Sequence, residues 1–320
     1  MFNSFLRLLI PCSSLAIFIL SLWTIHKNFH HYNAQNIWNI LSTIPLSNII
    51  KAIALTGLNY TIMTGYDCLA VNYIRHTLSF YKKALASIIC SGISNSVGFT
   101  LVSSCIIRYR LYSNWGLSLT SITQISTFCN LTFILGLFIV GAIVFITNPL
   151  ENTNILNFPF VSVQLLGVIF LFLILGYLLV TIFSKKQVKI GQWTLPHLSV
   201  KLILGQLIVS TLDWLLAASV FYSVFSSSVY LSYSTFLEIY ILAQIVGLTS
   251  NIPGGLGVFE AIILVFLSPY ISTENILLFL FIYRLIYYFI PLIISVVLLG
   301  AYELKHIILQ SNSMSLKKFF

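Results

Sequence analysis

Six apolar runs, each close to the length that crosses a lipid bilayer, constrain this 320-residue chain more than any other feature. They lie near residues 7–25, 47–73, 118–146, 161–183, 200–225 and 275–301, against the roughly twenty residues that a helix needs to span the hydrocarbon core. In lipid every backbone N–H and C=O must find its partner within the protein, which leaves helix bundles and closed barrels. A barrel is built from strands of about ten residues with alternating polarity, whereas these runs are long and continuous. With 58% hydrophobic and 7% charged residues, the chain has too little polar surface for a water-soluble globule.

Two further apolar segments contain helix breakers midway. Residues 84–107 carry G-I-S-N-S-V-G from Gly92 to Gly98, and residues 231–270 carry S-N-I-P-G-G-L-G from Ser250 to Gly257. Irregular backbone at membrane depth is tolerated where protein or a water-filled cavity satisfies it, so both segments read as re-entrant or broken hairpins. The expected fold is an all-α polytopic membrane protein with six full transmembrane helices and two such hairpins, about eight membrane segments in all. Residues 33–45 mix Ile37, Trp38, Ile40 and Leu41 with Asn and Gln, which suits a short interfacial helix.

The net charge of +9 is spread between apolar segments. It therefore reads as a topology signal, with no basic domain for nucleic acid. Clusters at Arg75, Lys82 and Lys83, at Arg108 and Arg110, at Lys185, Lys186, Lys189 and Lys201, and at Lys305, Lys317 and Lys318 belong in the cytoplasm. Residues 147–160, whose one charge is Glu151, belong outside. Both chain ends are then expected in the cytoplasm, in a multi-pass protein of the cell's inner (plasma) membrane. The first hairpin returns to the cytoplasmic side and the second enters from the opposite face. Asp67-Cys68-Leu69-Ala70 leads to Gly92, Asn95 and Gly98 much as Asp213-Trp214-Leu215-Leu216-Ala217 leads to Gly247, Asn251 and Gly254, a pattern compatible with an inverted-topology repeat. The chain divides accordingly into 1–46, two membrane halves at 47–160 and 161–304, and a tail at 305–320.

Ionisable residues inside a membrane are costly and mark function or pairing. Asp67, Asp213, Glu238, Glu260 and Arg284 fall within apolar segments. Asp213 is expected to pair with Arg284, and Asp67 with a neighbouring basic group such as Arg75. In N-I-P-G-G-L-G-V-F-E, Asn251 to Glu260, Pro253 stops one helix and Gly254, Gly255 and Gly257 permit a tight turn. Glu260 falls in the first turn of the next helix, where freed amides suit either a capping carboxylate or a phosphate headgroup. Arg108-Tyr109-Arg110-Leu111-Tyr112 sets two guanidinium groups among interfacial tyrosines. The five cysteines, Cys12, Cys68, Cys90, Cys105 and Cys129, have no ligand spacing. No Walker loop, zinc spacing or nucleophile elbow occurs, so neither ATP hydrolysis nor a cofactor is expected.

Taken together, N-I-P-G-G-L-G-V-F-E, Y-R-L-I-Y-Y-F-I-P-L, S-T-L-D-W and R-Y-R-L-Y resemble the lysylphosphatidylglycerol synthase transmembrane-region family over roughly residues 45–300. In its larger members this domain moves aminoacylated phosphatidylglycerol between leaflets, while a soluble domain makes the lipid. The resemblance implies a flippase-type membrane domain with Asp67, Arg108, Arg110, Asp213, Asn251, Pro253, Gly254, Gly255, Gly257, Glu260 and Arg284 as functional positions. About twenty residues follow residue 301, too few for a catalytic core, so lysyl transfer by this chain is not expected.

The sequence thus supports a translocase for an anionic or aminoacylated phospholipid, its arginines and half-helix amides on the phosphate and its carboxylates on a cationic group or a proton. A secondary transporter of a small amphiphilic solute, and an accessory subunit working with a separate lipid-modifying enzyme, are the alternatives. A side opening between helices distinguishes a lipid path from a solute path.

Overall fold

A computed structural model of the protein describes residues 44–97, 100–147, 163–183, 188–190, 193–195, 198–225, 231–250 and 253–317. The first expected span and the interfacial segment, through residue 43, lie outside these, as do the loop around Glu151, Gly98 and Asn251.

Ten α-helices carry the described fold: α1 (Leu46–Tyr73), α2 (Phe80–Val97), α3 (Thr100–Asn114), α4 (Leu119–Thr147), α5 (Val163–Phe183), α6 (Val200–Val224), α7 (Tyr233–Thr249), α8 (Val258–Leu267), α9 (Thr273–Arg284) and α10 (Ile290–Lys317). A two-stranded antiparallel hairpin, β1 (Val188–Ile190) with β2 (Trp193–Leu195), sits in the basic connection between α5 and α6, with Lys189 opposite Thr194. Four described helical stretches are long and apolar enough to cross a membrane, at Leu119–Thr147, Val163–Ile182, Val200–Val224 and Thr273–His306. The chain is a multi-pass helical membrane protein. Helix α1, at 28 residues, has the length as well. It buries Asn59, Thr64 and Asp67 along its inner face, so its character is set by the protein interior more than by lipid.

The centre is an antiparallel pair, α1 against α6. Asn48 donates to the Phe225 carbonyl at 2.7 Å and Asn59 reaches Asp213. Further along, Gly65 lies against Val209 and Gly205 against Leu69. Helix α4 packs across this pair, where the Trp214 indole N–H donates to the Phe133 carbonyl at 2.9 Å, and Gln206 bridges Thr132 and Tyr177 of α5. Only 22% of the most apolar stretch of α5 is buried, against 56% for α4. Helix α5 is therefore the peripheral member, turning Leu165, Ile169, Phe172 and Leu173 outward, as a lipid-facing helix does.

Helices α2 and α3 form one hairpin, tied by the Cys90 thiol on the Ser104 carbonyl; α7 and α8 form the other, with Tyr240 against Phe259. The break in the first hairpin differs from the expectation. Helix α2 runs unbroken through Gly92, Asn95 and Ser96 to Val97. Gly92 is small for another reason: a Cβ there would lie 2.1 Å from the Ser295 hydroxyl oxygen and 2.8 Å from the Pro291 carbonyl, so it admits α10 to close contact.

The last helix spans α9 and α10 through a π-helical turn at Leu285–Phe289. Pro291 lacks an N–H and so leaves the Tyr287 carbonyl without its helical donor; the Tyr60 hydroxyl points at that oxygen from 3.4 Å. Ser96, at the tip of the first hairpin, donates to the next carbonyl, that of Tyr288, at 3.3 Å. The base of this hairpin lies far along the helix, where Arg110 meets Glu303 and Trp115 meets Tyr302. The second hairpin takes the other half. Its tip reaches Arg284 through Gly254, and toward its base Phe236 packs on Phe225, which packs in turn on Phe279. From residue 279 to 303 is about 36 Å at helical rise. The two hairpins therefore stand at opposite ends of one helix and meet tip to tip at its π turn, the opposed entry that the charge pattern requires.

Candidate functional site

The second hairpin turns in a short 3-10 segment, Pro253–Gly255, where Gly254, Gly255 and Gly257 have φ of 61°, 62° and 81°. These are left-handed conformations that glycine adopts without the penalty of a Cβ. Glu260 opens α8 as the capping carboxylate, accepting the Gly257 N–H at 2.7 Å, and Arg284 grips the same carboxylate with Nε at 2.8 Å and Nη2 at 2.6 Å. Arg284 also donates from Nη1 to the Gly254 carbonyl at 3.0 Å and lies 4.5 Å over the Tyr288 ring. The expected Asp213–Arg284 pair is not formed. Arg284 immediately precedes the π turn and faces the hairpin, where a carboxylate and a carbonyl engage all three of its nitrogens, while Asp213 faces α1.

Asp213 is buried between α1 and α6. The Tyr66 hydroxyl donates to its Oδ2 at 2.6 Å; Asn59 Nδ2 donates to Oδ1 at 2.9 Å and to the Asp213 carbonyl at 2.8 Å. Asn59 in turn accepts the Tyr287 hydroxyl on its Oδ1 at 3.0 Å, so one amide joins α6, α1 and the π turn. Among the described residues no cationic side chain forms an ion pair with Asp213.

Asp67 differs. Arg108 clamps it in bidentate fashion, Nε and Nη2 each at 2.9 Å, and the Tyr112 hydroxyl adds a third bond at 2.8 Å. Arg75 is not the partner. Both members of the pair are buried, so it locks α1 to α3 inside the protein. Arg110 points elsewhere, forming an exposed bidentate pair with Glu303 at 2.6 and 2.8 Å. Glu238 is buried in α7. Pro253 stands in the turn as expected, and Asn251 lies outside the described residues.

The hairpin tips touch: a Cβ on Gly254 would be 3.4 Å from the Ser96 carbonyl. Beside them opens a cavity of about 560 Å³. Asp213, Asn95, Gln244, Gly254 and Gly255 give it polar atoms, and Tyr240, Tyr287, Tyr288, Trp214 and Phe259 give it rings. Its wall continues through Phe138, Leu166 and Phe170 to Val102 and Leu248, which are 59% and 40% exposed on the apolar surface. Of the positions singled out from sequence, Asp213, Gly254 and Gly255 border this space; Asp67, Arg108 and Arg110 do not. Sequence reasoning missed Asn59 and Tyr66, whose signal is a polar residue in the middle of an apolar span. No group of three His, Cys, Asp or Glu side chains suited to a metal ion occurs among the described residues.

Two opposed helical hairpins meeting tip to tip at a cavity among spanning helices define a class of membrane protein built around a central site. Comparison with known proteins gives the family. The profile described as "Lysylphosphatidylglycerol synthase TM region" matches residues 12–295, and the chain belongs to that family. It is 42% identical over 288 residues to the protein slr0712 of Synechocystis, covering 90% of this chain and 89% of that one. It is 29% identical over 267 residues to "Inner membrane protein YbhN" of Escherichia coli, covering 82% of each. A Staphylococcus haemolyticus protein named "Phosphatidylglycerol lysyltransferase" is 24% identical over 300 residues, 92% of this chain but 34% of that protein.

Proposed function

We propose that the protein is a lipid translocase of the bacterial inner membrane that passes the headgroup of an aminoacylated or anionic phospholipid through the cavity at the hairpin tips. One observation carries the reading: the cavity runs from a buried carboxylate, Asp213, to apolar side chains exposed on the lipid-facing surface, Val102 and Leu248. A headgroup can occupy the polar end while its chains stay in the bilayer. The match to proteins named as phosphatidylglycerol lysyltransferases and to an inner membrane protein supports the lipid and the location.

The geometry changes how the headgroup would be held. Arg108, Arg110 and Arg284 are each committed to a carboxylate, so the polar end of the cavity offers Asp213 and the side-chain amides of Asn95 and Gln244. That set favours the amine of an aminoacylated headgroup over a bare phosphate. No lysyl transfer is assigned to the chain; the lipid would come from a separate lipid-modifying enzyme.

The test is leaflet exchange of labelled phosphatidylglycerol and aminoacyl-phosphatidylglycerol in proteoliposomes, comparing the wild type with Leu248→Trp, which fills the mouth of the cavity. Protein-dependent exchange that drops in the variant supports the reading. Exchange no faster than in empty liposomes, with uptake of a water-soluble solute instead, replaces it by a solute transporter.

A further inference from the structure

We infer that Asp213 is the binding site for a proton that drives lipid movement, and that Asn59 relays its protonation to the last helix. This rests on the translocase reading and names the coupling ion at the same site. Four carboxylates are buried or half-buried in the described hairpins and central helices, and of these Glu238 in α7 does not border the cavity. Asp67 and Glu260 hold guanidinium groups, and their charge is cancelled in place. Asp213, 2% exposed, borders the cavity and has only neutral donors among the described residues. An isolated charge in such surroundings is expensive, and uptake of a proton from the cavity removes it.

The groups that face it are consistent. Tyr60 and Tyr66 of α1, Tyr240 of α7 and Tyr287 of the π turn lie close enough to interact with it electrostatically; all are neutral phenols. From α4 the nearby titratable group is the Cys129 thiol, beside Tyr66. The cation of the last helix, Arg284, and the acid of α8, Glu260, neutralise each other. Sodium fits poorly. A hard metal cation gathers about six oxygen ligands, whereas Asp213 is met by the N–H of Asn59 and the O–H of Tyr66, and the Asn59 oxygen is already taken by Tyr287.

The relay follows from hydrogen-bond direction. The ionised carboxylate accepts on both oxygens, holding Asn59 through Oδ1 and Tyr66 through Oδ2. A proton on Oδ1 makes that oxygen a donor, and the Asn59 amide keeps only the Asp213 backbone carbonyl as its acceptor. Asn59 holds the Tyr287 hydroxyl, and the next residue, Tyr288, receives Ser96 from the first hairpin's tip. Protonation thus loosens the tie among α6, α1 and the π turn at the level where the tips touch.

Two measurements on the full chain test this. Infrared titration in nanodiscs should show a protonated-carboxyl band growing as pH falls, absent in Asp213→Asn and restored, shifted, in Asp213→Glu. In proteoliposomes with the membrane potential clamped at zero, one proton per lipid gives about a tenfold leaflet ratio of labelled lipid per imposed pH unit. Asp213→Asn should lose this accumulation and Asp213→Glu should keep it, with an unfolding midpoint in micelles close to that of wild type showing that each variant folds. Accumulation that follows sodium, or is unchanged in Asp213→Asn, overturns the inference. A normal carboxyl band with no lipid movement removes the translocase reading and the coupling with it; lipid movement without the band removes the proton site alone.

Discussion

Replacing Arg108 by methionine takes the guanidinium from a carboxylate that has nowhere to go. Asp67 is fully buried and receives three hydrogen bonds, two from Arg108 and one from Tyr112. The variant leaves only the Tyr112 bond. Hydrogen bonds to charged groups contribute about 1.5–3 kcal/mol each, and removing one partner of a buried pair typically costs about 3–5 kcal/mol because the other charge is stranded. We expect Arg108→Met to cost about 3–5 kcal/mol on that basis. Adding Asp67→Asn removes the stranded charge and keeps an acceptor for Tyr112, so the double variant should come within about 2 kcal/mol of wild type. Reversible unfolding in mixed micelles, followed by tryptophan fluorescence, measures both. An Arg108→Met cost under about 1 kcal/mol, or a double variant no better than the single one, would refute the reading of this pair as an internal lock.

Gly255→Ala places a Cβ at φ 62° and 3.3 Å from the Gly247 Cα, and a left-handed alanine alone costs roughly 1–2 kcal/mol; unfolding in the same micelles should show at least that. Arg110→Ala should shift stability by no more than about 1 kcal/mol, because its pair with Glu303 is exposed, and the shift should shrink further in high salt. Glu260→Gln weakens both the Gly257 cap and the Arg284 clamp, so exchange in proteoliposomes should fall, and chymotrypsin, which cuts beside residues such as Leu256 and Phe259, should cleave the second hairpin faster than in wild type.

The spans of α4, α5 and α6 and the turn at Pro253–Gly257 were legible in the sequence because their signals are local: run length, and a proline followed by glycines. Glu260 as a capping residue was legible for the same reason. The partner of Arg284 was not. Asp213 and Glu260 both lie in apolar segments, and which one the guanidinium meets depends on the rotation of the last helix about its axis, which no spacing rule encodes. Gly92 shows a related ambiguity. A glycine among small polar residues reads as a break, yet here it sits within a continuous helix against Ser295. Only the neighbouring helix separates the two meanings. Asn59 escaped notice because it carries no charge, and one amide in the middle of a span looks unremarkable until it is seen to join three elements.

The π turn of the last helix has a mechanical consequence. Beyond it on one side the helix carries the base of the first hairpin, at Glu303 and Tyr302; on the other it carries the clamp on the second, at Arg284. At this turn the Tyr287 carbonyl lacks the donor that Pro291 cannot supply and faces the Tyr60 hydroxyl, while Ser96 donates to the Tyr288 carbonyl. A bend at this turn would change the angle between the two arms, and with it the approach of the two hairpin tips that flank the cavity. The long Tyr60 and Ser96 bonds, at 3.4 and 3.3 Å, are the side-chain contacts that such a bend would have to break.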